Sequence, residues 1–257
     1  MDFIALLICL AIERWTSIGK QIRDFRLLEK YIEFFDRTFP KQAKVISGFL
    51  FVLAVVIPLA LLVGIFWYIF SLFFVGLLNI LFSTIVLIYC LGAFEPQITP
   101  HLLKNHYPTK QKREIVGMMM QANQNIFAVL FWFAVLGPAG AIIYRLMILL
   151  VDKYRDTAIG HAAIVMTQWG DWIPVRLLGV GCALVSHFKG VLVQWGHHLL
   201  TRPSANEEML AECGFAALEL DRKRSELSVE AIQQATMALI DRTLALWLII
   251  LAAIILL

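Results

Sequence analysis

Fifty consecutive residues, from Val45 to Phe94, contain no Asp, Glu, Lys, Arg or His. A membrane-crossing helix needs about 20 apolar residues, so the run has room for two crossings and a tight turn. The sequence places that turn near Trp67 to Ser71. Pro58 and Gly64 inside the run are tolerable, because neighbouring helices re-satisfy freed backbone groups. Composition points the same way: 60% of residues are hydrophobic and 16% charged, against roughly 45–50% and about 25% in soluble domains. A compact soluble protein of this size cannot bury that much apolar surface, and membrane lipid is the natural partner.

Three further segments are less clear-cut. Ile126 to Val151 is long enough to cross, with Gly137-Pro138-Ala139-Gly140 breaking it and Arg145 past its middle. It reads as a kinked span or as two half-helices. Trp172 to Trp195 contains Arg176, His187 and Lys189, so it either packs against other helices or lies in the interface. Leu244 to Leu257 spans if Met237 to Ile240 extends it. The first apolar run, Phe3 to Ile12, lacks a basic leader and a cleavage site and reads as retained.

Basic residues give the orientation. Eight Lys or Arg fall in Glu13 to Lys44 and four in Glu95 to Asn125, on both flanks of the uncharged run, which places both flanks in the cytoplasm. Gly196 to Asp241 suits the same side, and Asp152 to Asp171 the opposite one. In Arg14 to Phe39, Ile18, Ile22, Phe25, Leu28, Tyr31, Ile32 and Phe35 recur at helical spacing and form an apolar stripe. Ser204 followed by Glu207 has the spacing of a capping box. The expected architecture is an all-α integral membrane protein, a single membrane domain over 1–257, with about 4–6 membrane helices. Amphipathic cytoplasmic helices are expected over 13–44, 95–125 and 196–241.

Lys and Arg outnumber Asp and Glu by only 22 to 19, and they are spread over loops, which speaks against nucleic acid. The four cysteines stand singly and read as packing residues. His197-His198 point to different helix faces, an arrangement that favours an interface over a metal. Phosphate-loop, dinucleotide, zinc-protease and hydrolase motifs are absent. No metal, cofactor or catalytic residue is expected. The informative stretch is Gly170-Asp171-Trp172-Ile173-Pro174-Val175-Arg176. It suggests a helix opening near Pro174, with Asp171 as N-cap and Trp172 at the membrane boundary. Arg176 then either pairs with a carboxylate or holds a phosphate or carboxylate with its two-pronged guanidinium. Glu13 and Arg145 are the other costly charges, and a pairing of Glu13 with Arg176 or Arg145 is one way to satisfy them.

Ala11-Ile12-Glu13-Arg14 with Gly19, Phe131-Trp132 before Gly137, and Asp171-Trp172-Ile173-Pro174-Val175-Arg176-Leu177 with Gly179 resemble the AmpE family. The resemblance implies an inner-membrane regulatory protein linked to β-lactamase induction. AmpE is similar in turn to the CobD/CbiB membrane synthases, which form an amide bond with ATP in cobalamin synthesis. Where those synthases carry acidic or amide side chains, this chain has Met120, Gln121 and Gln124, Thr167 and Gln168, and Ile148 and Val151. Their late glycine-rich segment is replaced by Glu219 to Arg224. An ATP-dependent ligation needs such acids to hold Mg²⁺. The sequence therefore favours binding over catalysis, with Glu13, Arg145, Asp171, Trp172 and Arg176 as binding candidates. A protein partner, a small anionic ligand and self-association stay open, as do a synthase and a structural subunit of a membrane assembly.

Overall fold

The computed structural model describes residues 25–38, 48–73, 77–92, 107, 109–219 and 228–256, and every regular element among them is helical. In chain order these are α1 (Arg26–Thr38), α2 (Gly48–Phe73), α3 (Leu77–Cys90), α4 (Lys110–Ala122), a π-turn (Asn123–Phe127), α5 (Ala128–Lys153), α6 (Ala158–Val185), α7 (Phe188–His198), a 3₁₀ turn (Pro203–Ala205), α8 (Asn206–Ala217) and α9 (Val229–Leu256). Among the described residues two stretches are long and apolar enough to cross a membrane, Gly48–Leu72 and Lys110–Lys153; Leu78–Cys90 is apolar but shorter. Contacts gather the chain into two compact units. Met1–Ala93 and Ala128–Gly170 form one, and Phe94–Phe127 and Asp171–Leu257 form the other.

In the first unit, α2 runs through the expected turn at 67–71 and ends only at Phe73. That stretch contains no Gly or Pro to stop a helix, and dividing an uncharged run by length alone misplaces the break. Phe70 of α2 meets Phe82 of α3 edge-on, with ring centres 5.5 Å apart. α1 turns Leu28 and Ile32 inward, and the Tyr31 hydroxyl donates to the Val55 carbonyl at 2.9 Å. At its far end Lys153 reaches Glu33 at 3.4 Å, and the Tyr154 hydroxyl donates to Asp36 at 2.8 Å. Burial and the Asp36 carboxylate both hold Tyr154 protonated, raising its pKa. The expected break in α5 is present: Gly137 has φ 64° and ψ −155°, a conformation open to glycine, and Pro138 follows. Outward, α2 shows Leu61, Leu62, Ile65 and Phe66, a face that water would not tolerate as a continuous patch.

The opening of a helix at Pro174 is overturned. Pro174 lies well inside α6, so Asp171 is an interior residue and not an N-cap. A proline within a helix has no N–H for the carbonyl four residues earlier, which here is that of Gly170. The indole N–H of Trp132 fills the vacancy, donating to the Gly170 carbonyl at 3.0 Å. The helix survives its proline because an aromatic N–H stands in for the missing amide. The segment 172–195 is likewise not one element. α6 ends at Val185, and α7 starts at Phe188 with His187 as its cap, Nδ1 accepting from the Gly190 amide at 3.2 Å.

In the second unit, Thr109 caps α4, its hydroxyl accepting from the Lys112 amide at 3.3 Å. Glu114 of α4 is buried and accepts from Gln233 of α9 at 2.9 Å. Phe127 meets Trp247 edge-on at 5.2 Å. Gly179 lets α6 approach Trp195, Met209 and Cys213 closely, since a Cβ there falls 2.8 Å from the Trp195 ring. Ser204 does not cap α8: it sits within the 3₁₀ turn that Pro203 opens, and α8 starts at Asn206 without a side-chain cap. Cys90, Cys182 and Cys213 are buried free thiols, and burial pushes the Cys213 thiol up to about 12, beyond ready reaction.

Trp132→Phe should destabilise the fold by about 1–3 kcal/mol, the cost of an unsatisfied buried carbonyl. In a Pro174→Ala background the same substitution should cost clearly less, because residue 174 then supplies the amide. Thermal unfolding of the four proteins in detergent measures this, and equal costs in both backgrounds would refute the explanation.

Candidate functional site

The second half of α6 carries three of the candidates on one stretch. Asp171 is buried, and its carboxylate accepts from the Asn123 side-chain amide at 2.9 Å. Asn123 is wholly buried and opens the π-turn between α4 and α5, a local widening that often marks functional positions. The half-buried Trp172 follows Asp171 directly, and the buried Arg176 lies about one turn beyond it. The guanidinium carbon sits 4.1 Å above the Trp172 ring, a cation–π contact.

Arg176 is heavily bonded. Its Nε donates to the Leu199 carbonyl at 2.8 Å. Nη1 donates to the carbonyl of Trp172 at 2.8 Å and to Asn206 Oδ1 at 3.0 Å. Nη2 donates to the Thr201 carbonyl at 3.0 Å, with the His198 carbonyl and Thr201 hydroxyl at 3.4 Å. Two tryptophans complete the arrangement. Trp172 Nε1 donates to the Thr201 carbonyl at 3.1 Å, and Trp195 Nε1 donates to the carbonyl of Arg176 itself at 2.9 Å. The Thr201 hydroxyl donates to the His198 carbonyl at 2.7 Å.

These acceptors have one thing in common. His198, Leu199 and Thr201 lie at and just past the C-terminus of α7, where a helix leaves its last carbonyls without partners and carries partial negative charge. Arg176 supplies both needs at once, with donors in a fixed fork and a positive charge. Through Asn206 it also holds the first residue of α8. Every nitrogen of the guanidinium is engaged by an oxygen of the chain, and among the described residues those partners are neutral. The arrangement is a closed corner tying α6, α7 and α8.

Of the other candidates, Arg145 belongs to the first unit, where it is buried with its guanidinium carbon 4.2 Å above the Phe25 ring. Glu13 lies outside the described residues. Among the described residues no three His, Cys, Asp or Glu side chains gather at metal-binding distance. Sequence reasoning noted Trp132 only as part of the family resemblance and missed Asn123, Trp195, Thr201 and Asn206. Asn123 had a signal, since Gln121 to Asn125 form a polar island in an apolar helix. Trp195, Thr201 and Asn206 carry none, because only chain geometry brings them to Arg176.

A kinked helix in a membrane-length stretch, a second long helix that buries Asp171 and Arg176, and a corner held by an arginine describe an all-helical protein with apolar helices long enough to cross a membrane. Residues 104–257, well over half of the chain, match the regulatory signalling modulator protein AmpE, and the chain belongs to that family. The matched region holds Asn123, Trp132, Arg145, Asp171, Trp172 and Arg176. No curated protein and no solved structure matches the chain.

Arg176→Lys should loosen the corner by about 2–4 kcal/mol, because an ammonium cannot serve the Leu199, Thr201 and Asn206 oxygens together. Amide hydrogen exchange should accelerate across residues 195–206 while α2 stays unchanged. Unaltered exchange at the corner would show that Arg176 does not hold it.

Proposed function

We propose that the chain is an inner-membrane regulator that acts by binding rather than catalysis and tunes β-lactamase induction in response to cell-wall stress. The observation that carries this reading is the internal saturation of Arg176. The residue type best suited to grip a phosphate has all its nitrogens occupied by the chain, so the Asp171-to-Arg176 stretch serves to build a rigid surface. Family membership supports the regulatory role. Arg176 contributes by fixing the α6–α7–α8 corner, and the ligand or protein partner meets the surface so formed.

The basic segments 13–44 and 95–125 and the polar segment 196–241 face the cytoplasm in this reading, held there by their Lys and Arg content. A cytoplasmic face suits a signal that must reach gene expression. Self-association is compatible with it.

Three measurements test the reading. Expressed in a host deleted for its own family member, the chain should restore the normal rise in β-lactamase activity after exposure to a β-lactam. Purified into phosphatidylethanolamine–phosphatidylglycerol vesicles, it should neither bind nor hydrolyse ATP, and it should not rescue a mutant blocked in the amide-forming step of cobalamin synthesis. An unchanged induction response removes the regulatory role; ATP turnover or rescue removes the binding-only mechanism in favour of a synthase.

A further inference from the structure

α5 is not one rod. At Gly137 the backbone leaves the helical region, with φ 64° and ψ −155°, and Pro138 brings no amide to continue the ladder. The two flanks then fold together. A Cβ at Gly140 would overlap the Trp132 carbonyl, eight residues back, whereas a continuous helix holds such positions about 12 Å apart. A single position on the first part of α6 meets both flanks. A Cβ at Gly170 would fall 3.8 Å from the Trp132 indole nitrogen, 3.7 Å from the Tyr144 ring and 3.5 Å from the Met147 methyl. Along an unbroken helix Trp132 and Met147 would be about 22 Å apart. Residues 128–136 and 138–153 are therefore two half-helices joined by a hairpin at Gly137-Pro138.

Within the first unit the second half-helix runs antiparallel to α2. It starts beside the later part of α2, where a Cβ at Gly137 would lie 3.9 Å from Trp67 and one at Gly64 would lie 4.0 Å from Ala139. It ends beside the start of α2. There the rings of Phe51 and Tyr154 meet edge-on at 5.8 Å, and Gly48 packs so closely on the Ala158 carbonyl that a Cβ would not fit. α1 closes on this same end, through Lys153 with Glu33 at 3.4 Å and Tyr154 with Asp36 at 2.8 Å. The hairpin tip and the turn at 152–157 thus sit towards opposite ends of α2, whose 25 apolar residues measure about 37 Å.

A turn held to α1 by contacts of 3.4 and 2.8 Å cannot lie across a bilayer core of roughly 30 Å from it. We propose that the second half of α5 returns the chain to the membrane side that carries α1, so that residues 152–157 share a compartment with α1. This reverses the side that the low basic content of Asp152 to Asp171 suggests. The apolar stretch Lys110–Lys153 is then not a single crossing; as one helix its 44 residues would measure about 66 Å, twice what a bilayer needs. The proposal rests on the inner-membrane reading above and deepens it. Asp152, Asp156 and Thr157 are exposed, as are Glu29 and Lys30 of α1, so a partner on that side can meet both elements.

The test uses the full chain with its own cysteines replaced and single cysteines introduced as Lys30→Cys, Asp156→Cys or Leu72→Cys. A membrane-impermeant maleimide is applied to everted and to right-side-out inner-membrane vesicles. Lys30→Cys and Asp156→Cys should be modified in the same preparation, and Leu72→Cys, at the far end of α2, in the other. Modification of Asp156→Cys together with Leu72→Cys overturns the proposal and leaves the membrane reading standing. Modification of Asp156→Cys in neither preparation also overturns it. Modification of all three in both preparations removes the membrane reading, and the proposal with it. As a second measurement, Glu33→Cys combined with Lys153→Cys should cross-link with a short bismaleimide in membranes, whereas Lys30→Cys combined with Leu72→Cys should not. Absence of the first cross-link overturns the return of the chain to α1.

Discussion

Burying a guanidinium strips water from five N–H donors and from a full positive charge, and the second unit is organised around replacing that water. The Arg176 nitrogens find carbonyls at the end of α7 and the side chain of the first residue of α8. These are groups that need donors for their own reasons, so two deficits cancel. The arginine also fixes a direction: α7 must turn back beside α6 for its last carbonyls to reach the guanidinium. Trp172 below the cation and Trp195 bonded to its carbonyl then narrow the geometry further.

Pro174 works on the same principle one turn earlier. It deprives the Gly170 carbonyl of its amide, and Trp132 restores the bond. Gly170, Trp172, Pro174 and Arg176 therefore form a run in which irregular hydrogen bonding is met by side chains, not by solvent. Such substitutions make sense where solvent is scarce. They also explain why the stretch tolerates no simple description as a cap, a span or a ligand grip, because each residue answers a backbone vacancy created by another.

The sequence made some of this legible and hid the rest for a physical reason. The uncharged run, the glycine–proline break in α5 and the helical nature of the chain follow from side-chain chemistry, which a sequence displays. Asp171, Trp172 and Arg176 were recognisable as costly or distinctive residues, and the structure places them within one stretch. Their partners were hidden: the acceptors of Arg176 are mostly backbone carbonyls, identical at every position, and only chain geometry selects Leu199 and Thr201. Pro174 misled because proline usually marks a helix boundary, and the donor that overrides it, Trp132, is remote in sequence. Asn123 was within reach, as a polar island inside an apolar helix.

Average hydropathy and the distribution of polarity answer different questions about α6. An average counts Asp171, Arg176 and the glycines against membrane insertion wherever they point. Lipid, however, meets only the outer face, and the free-energy cost of a polar group depends on whether its partners lie inside the protein. Along α6 the fully exposed residues from Val165 to Leu184 are apolar, Gln168 is half-exposed, and Asp171 and Arg176 have internal partners. α2 is apolar on all sides, which is why it is conspicuous in the sequence and α6 is not.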